Sequence, residues 1–487
     1  MDVRSFETTS GWDGPPGSAT RQTGAPTARS AMGARPGAMA RPFWASWHFA
    51  LRHALGAADF LAARSGFLDR KLDAARLMEL ARKQTGLEEW GTEAIAEPLQ
   101  LLLEACAREA SLGLIGRMAL RWDVLRFLCN LLRLEEAARR QPAISAENIA
   151  APIVITGLPR SGTTFLHQMM LFDPANRAPR VWEVITPCQD RPGAGTAAAR
   201  DGRSARVAKQ IQLFQLLAPE FRDLHPLTAT SPQECTEILA HGFRSLRFDT
   251  TYRVPSYRAW LDGDEARHLP AYRLHRRFLQ HLQYGAGAPR RWVLKCPDHL
   301  FALPALKEVY PDARLVFVHR DPLKVLLSVA RLTEVLRQPF SRSVDPIEIG
   351  RQESTRWREG AARMTAESGA DRWREPVCHV HYLDLVADPA ATVQAVYRHF
   401  GLALPEAAAA AIRRADRAVP RGGYAVHEYR FEDHGLDAAE EAEKFRTYMT
   451  HFGITPERSD EPPRASRRPT PARQGGAAEP MAGGLSG

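Results

Sequence analysis

Apolar residues between positions 41 and 149 recur three and four apart, as in Leu99, Leu102, Leu103 and Cys106, or Leu125, Leu128, Leu131 and Leu132. Arginine and glutamate fill the gaps, which predicts a helical N-terminal region. At Ala151 the pattern changes to short apolar runs, Ile153–Thr156, Trp292–Leu294, Leu315–Val318 and Val377–Tyr382, each followed by a helical pattern. Runs of that length with no polar alternation predict strands buried on both faces. The expected fold class is therefore α/β: a P-loop-like parallel sheet flanked by helices, with an N-terminal helical extension and ligands at the carboxyl ends of the strands. Residues 1–40 and 456–487 are dominated by Gly, Ser, Thr, Pro and Ala and are expected to be disordered tails. The expected division is thus 1–40, 41–150, 151–455 and 456–487.

Composition narrows the class. With 44% hydrophobic and 25% charged residues, the 487-residue chain matches an ordinary globular protein rather than a fibrous or wholly disordered one. Its net charge of +9 does not point to nucleic acid, because the arginines are scattered among acids instead of forming a patch. Cys106, Cys129, Cys188, Cys235, Cys296 and Cys378 show no CxxC pairing, so neither a zinc module nor a disulfide framework is expected. No apolar run reaches the ~18–20 residues of a membrane span. No basic-then-apolar leader is visible either, and a cytoplasmic protein is expected. Phe43, Trp44, Trp47 and Phe49, beside Arg41, His48, Arg52 and His53, have the makings of a membrane-surface element, although a helix packed on its own domain is the preferred assignment.

Chemistry concentrates after the first predicted strand. Ile153–Thr156 runs into Gly157-Leu158-Pro159-Arg160-Ser161-Gly162-Thr163-Thr164 and then into a helix. Two glycines let backbone N–H groups converge, and a helix N-terminus adds unpaired donors and a favourable dipole for an anion. The G-x-x-x-x-G spacing matches a nucleotide triphosphatase turn, but Thr163 stands where that motif places lysine. Arg160 can supply the missing cation as a fork of donors, with Thr163 and Thr164 bonding the same group. Far downstream a second predicted strand ends in Arg320, and Pro322 opens a helix that carries Ser328, a pair suited to a second phosphate.

The segments "GLPRSGTTFLHQMM" and "LVFVHRDPLKVLLSVARL", joined by "VLKCPDHLFALPALKEVYPDA", resemble the sulfotransferases that use 3′-phosphoadenosine 5′-phosphosulfate (PAPS), in particular the bacterial and tyrosylprotein branches. The resemblance runs from about Leu72 to Gly453 and includes "TGLEEWG" and "EYRFEDHGLDAAEEAEKFRTYMTHFGI". It implies that Arg160, Ser161, Gly162, Thr163 and Thr164 hold the 5′-phosphosulfate and that Arg320 and Ser328 hold the 3′-phosphate. Cytosolic members usually carry lysine where Arg160 stands, whereas the bacterial and tyrosylprotein branches use arginine, so this residue narrows the resemblance to those branches. It also implies that Lys295, in a K-x-P context, stabilises the transition state with help from Arg160. Arg421, in Arg421-Gly422-Gly423, resembles a loop that closes over the nucleotide. PAPS is then a co-substrate, and no metal is expected.

Sulfuryl transfer needs a group to take the acceptor's proton. Glu183 follows the turn at about the distance of the tyrosylprotein branch's glutamate. Glu234 is the rival, and His167, one helical turn beyond Thr163, is the third candidate. Two other functions fit the anion-binding turn: a P-loop nucleotide kinase and a non-catalytic nucleotide-binding protein. The acceptor, a hydroxyl or amine of a small molecule, lipid or glycan, is not encoded in any recognisable motif. Its pocket is expected within Gln189–Thr250 and Phe340–Trp357, with Phe214, Phe221, Trp260 and Trp357 as candidate lining. Oligomeric state is not legible.

Overall fold

The computed structural model describes residues 72–457 other than 92–93, 189–196, 289, 370–372 and 419–429, together with positions 59, 61, 64 and 65. The expected tail at 1–40, nearly all of that at 456–487, and the aromatic cluster around Trp44 lie outside the described residues.

The N-terminal region opens with α1 (Ala74–Thr85), α2 (Ala96–Glu109) and the long α3 (Leu114–Arg140). Next come β1 (Ile153–Gly157), α4 (Thr163–Met170), β2 (Asn176–Arg177) and α5 (Val181–Ile185). They are followed by α6 (Ala197–Leu217), α7 (Cys235–Leu239) and α8 (Leu269–Gln283). The sheet is completed by β3 (Arg291–Lys295), β4 (Arg314–His319) and β5 (Cys378–His381), with α9 (Pro322–Arg337) and α10 (Pro346–Ser368) between the last two. Near the C-terminus stand α11 (Tyr382–Ala387), α12 (Pro389–His399) and α13 (Arg446–His451).

Every strand pairing is parallel, in the order β2-β3-β1-β4-β5. All five β1 residues are buried, because helices cover both faces of a centrally placed strand. The pleat sorts its side chains by parity. Ile153 and Ile155 join Val293, Val316 and Val318 under α4 and α12, in a core with Leu166, Met169, Val393 and Val396. Val154 joins Leu294, Leu315 and Phe317 on the other face, in a core that also holds Leu99, Leu102, Leu103, Leu128 and Leu132. The change of pattern at residue 150 is therefore a change of element type within one continuous core, since α2, α3 and the sheet's second face contribute to the same buried cluster. The two-residue β2 is too short for any periodicity to announce it.

A buried charge network ties α3 to the chain around the site. Arg126 pairs with Asp123 and with Glu237 of α7, and Arg247 pairs with the same two carboxylates at 2.7 Å. Burial alone would raise the Asp123 carboxyl, but Arg247 and Arg126 outweigh it and hold the group below its ordinary range. Asn130 of α3 also donates to the carbonyl of Ile185 at 3.1 Å, which anchors the end of α5.

Candidate active site

Register explains why the expected residues meet. Ile155 of β1 lies beside Lys295 of β3, and Gly157 lies beside Val318 of β4, so the carboxyl ends of three strands open at one level. Gly157 has φ +147, and a Cβ there would stand 2.4 Å from the carbonyl oxygen of Val318. Only glycine lets the turn leave the sheet so close to β4. Gly162 has φ +94, and a Cβ on it would stand 2.8 Å from the ring of Tyr382. Arg160, between them, is held at φ +62, a left-handed conformation that costs a non-glycine residue about 1 kcal/mol or more.

Two clusters of polar side chains flank this turn. In the first, Arg160 Nε donates to Ser328 Oγ at 3.0 Å, and Arg320 Nη1 donates to the carbonyl of Arg160 at 2.9 Å. The Arg320 guanidinium lies 3.9 Å from the centre of the Tyr382 ring. The ring that packs on Gly162 thus also carries Arg320. Ser328 sits on α9, whose start is fixed by Pro322 in the first turn and by Asp321 Oδ1, which accepts from Leu323 N–H at 2.9 Å.

In the second cluster Lys295 Nζ donates to Thr164 Oγ1 at 3.0 Å and to the carboxylate of Glu234. Lys295 is 2% exposed. Burial would raise Glu234, but Lys295 and then His225 hold it ionised and below its ordinary range. His225 lies within electrostatic reach of Glu234, Lys295 and Arg160, and burial pushes its imidazole down to about 4. Thr236, two residues past Glu234, donates to Asp298 Oδ2 at 2.8 Å and clamps the start of α7 to the turn after β3. Burial raises the Asp298 carboxyl to about 6, against the Thr236 hydrogen bond and with help from the Glu234 charge.

Other expected residues have local roles in the structure. Ser161, fully buried, donates its hydroxyl to the carbonyl of Leu158 at 2.6 Å and so closes the turn itself. Thr163 is buried at the first position of α4. His167 is fully buried, its Nε2 is 2.9 Å from the carbonyl oxygen of Val293, and burial and then Lys295 push it down to about 3. Glu183 accepts from the N–H of Arg180 at 2.9 Å and caps the start of α5. Arg421 lies outside the described residues.

Four site residues escaped the sequence reading: His225, Asp298, Tyr382 and Glu457. Tyr382 follows the end of β5 as Arg320 follows that of β4, so the rule that ligands gather at strand ends was a usable signal for it. His225 sits outside any motif, whereas Asp298 lies in the quoted "VLKCPDH" stretch, directly after the K-x-P of Lys295, without an assigned role. Glu457, placed by composition in the trailing segment, takes Arg320 Nε and Nη2 at 2.8 and 2.9 Å.

A parallel sheet with a glycine-bounded turn between its central strand and the following helix, faced by two arginines and a buried lysine, defines a phosphate- or sulfate-handling α/β protein. Residues 152–406 match the model of the sulfotransferase family, and the chain belongs to that family. It is similar to the crystal structures of sulfotransferase STF1 from Mycobacterium tuberculosis H37Rv and STF9 from Mycobacterium avium. For STF1 the identity is 31% and the TM-score 0.66, covering 78% of this chain and 100% of the other. For STF9 the values are 26% and 0.70, covering 78% and 97%. Curated relatives from Mycobacterium bovis and Mycobacterium tuberculosis, both named omega-hydroxy-beta-dihydromenaquinone-9 sulfotransferase Stf3, are 26% identical over 287 residues. That match takes in 53% of this chain and 65% of theirs, so the chain spans just under two thirds of the length of these relatives.

Proposed function

We propose that the protein transfers a sulfuryl group from PAPS to a hydroxyl or amine acceptor. The observation that carries this is the bond from Arg320 Nη1 to the Arg160 carbonyl, which puts the two arginines in contact, with Ser328 on the Arg160 side chain. The 5′-phosphosulfate then lies in the turn against Arg160, Gly162, Thr163 and Thr164, and the 3′-phosphate lies on Arg320 and Ser328. A lysine-less turn with a second phosphate site favours a bisphosphorylated adenosine over the triphosphate of a kinase.

In this scheme the acceptor oxygen attacks sulfur in line, the new S–O bond forms, and the bond from sulfur to the 5′-phosphate oxygen breaks. Charge growing on that phosphate is met by Lys295 and Arg160, already positioned before the reaction. The acceptor's proton goes to a carboxylate. Glu234 is favoured because it touches Lys295, whereas Glu183 is engaged at the start of α5. The acceptor is proposed to be a small-molecule or lipid hydroxyl, supported by the quinone-lipid substrate in the names of the Stf3 relatives. Among the described residues no helix is long and apolar enough to cross a membrane. A cytoplasmic setting is part of the proposal, supported by six free cysteines.

The test is calorimetric titration without Mg²⁺. Tight binding of adenosine 3′,5′-bisphosphate, together with transfer of label from PAPS to a hydroxylated quinone, is expected. Preference for Mg-ATP would indicate a kinase, and bisphosphate binding without any turnover of PAPS would indicate a binding protein.

A further inference from the structure

Glu457 meets Arg320 in the geometry by which a guanidinium holds a phosphate. Its two carboxylate oxygens accept from Nε and Nη2, along the outer edge of the fork, while Nη1 is committed to the Arg160 carbonyl. The backbone around Glu457 is fixed as well, since its own N–H donates to Asp321 Oδ2 at 2.8 Å. The segment arrives by a defined route. Tyr448 of α13 places its hydroxyl 3.2 Å from His319 Nδ1, and the Phe452 ring lies 4.1 Å from the His319 ring, directly before Arg320 in the chain. Tail and strand end are thus docked on each other, and the carboxylate at the end of the docked segment falls on the arginine.

We propose that Glu457 is a built-in competitor for the nucleotide's 3′-phosphate: its carboxylate uses the same donor edge of Arg320 and leaves when the phosphate binds. This rests on the assignment of Arg320 to the 3′-phosphate. Both side chains are mostly buried, 21% and 15% exposed, so carboxylate and phosphate cannot share the edge without strong like-charge repulsion. Nucleotide affinity is then scaled down by the fraction of molecules in which Glu457 has let go. For a partly exposed ion pair that fraction implies a modest effect, about three- to ten-fold.

Calorimetry on the full chain tests this with adenosine 3′,5′-bisphosphate and with adenosine 5′-phosphate, which lacks the contested group. Glu457→Gln and Glu457→Ala are each expected to bind the bisphosphate about three- to ten-fold more tightly than the unaltered chain, with 5′-phosphate affinity unchanged. Glutamine keeps the size of the side chain, so the comparison survives if the alanine variant folds poorly. Unchanged or weaker bisphosphate binding overturns the proposal, as does equal tightening for both ligands. Arg320→Ala separates the two layers. If it weakens the bisphosphate while the Glu457 variants change nothing, competition is wrong and the Arg320 assignment stands. If it leaves bisphosphate binding intact, the assignment itself fails.

Discussion

Arg160 carries strain in exchange for position. A non-glycine residue at φ +62 is disfavoured on steric grounds, yet there its guanidinium reaches Ser328 and its backbone carbonyl accepts from Arg320. Glycine relieves that strain but loosens the unfolded chain, so Arg160→Gly is expected to leave stability within about 1 kcal/mol of the parent while abolishing transfer. Paired thermal melts and transfer assays check this. Lys295 and Glu234 form one unit, and either substitution leaves the other charge buried without its partner. Lys295→Ala is expected to lower kcat by about 10²–10³-fold, and Glu234→Gln to do so by about 10²–10⁴-fold. Glu183→Gln, which weakens a helix cap, is expected to act on stability by about 1 kcal/mol and to spare kcat. A result with Glu183 and Glu234 exchanged would move the proton acceptor to α5.

At the level of elements, the turn, the strand that precedes it and the helix that follows were legible in the sequence, because glycine spacing, arginine and hydroxyls are local signals. So was the second strand end at Arg320. Which of Glu183 and Glu234 meets Lys295 was not, because neither carboxylate sits in a local pattern that reports its partner. That is decided by α7 being clamped through Thr236 to Asp298 and held by the Arg126–Glu237 pair, contacts between residues far apart in sequence. His225 was invisible for the same reason. The network also gives α3 a task the sequence did not announce, namely holding the helix that starts beside Glu234. Removing one partner of a buried ion network leaves another charge uncompensated, so Arg126→Met is expected to destabilise the protein by about 3–5 kcal/mol, read from chemical denaturation midpoints. Activity measured well below the new melting temperature is expected to fall as well, through misplacement of Glu234.

For the whole molecule, buried histidines set the response to acid. His167, His241, His275 and His299 are each pushed down to about 3, in every case chiefly by burial. Unfolded, they take up protons near their ordinary 6.5, so between about 6.5 and 3 the unfolded chain binds more protons than the folded one. The stability these histidines contribute is therefore full above about pH 6.5 and declines as the pH falls below it. Urea unfolding at pH 7.5 and pH 5 is expected to show a lower midpoint at the acid value with an unchanged slope, and equal midpoints would remove these histidines from the account. The same burial makes His167 a poor proton shuttle, since its ring is neutral and its Nε2 faces the Val293 carbonyl.

The proposal that the turn and Arg320 grip the two phosphates of one ligand is tested most directly by solving the crystal structure with adenosine 3′,5′-bisphosphate bound. The expected density shows the 5′-phosphate within the turn from Gly157 to Thr164 and the 3′-phosphate on Arg320, with the Glu457 carboxylate displaced from that guanidinium. Bisphosphate bound elsewhere, or with only one phosphate touching these arginines, would contradict the account.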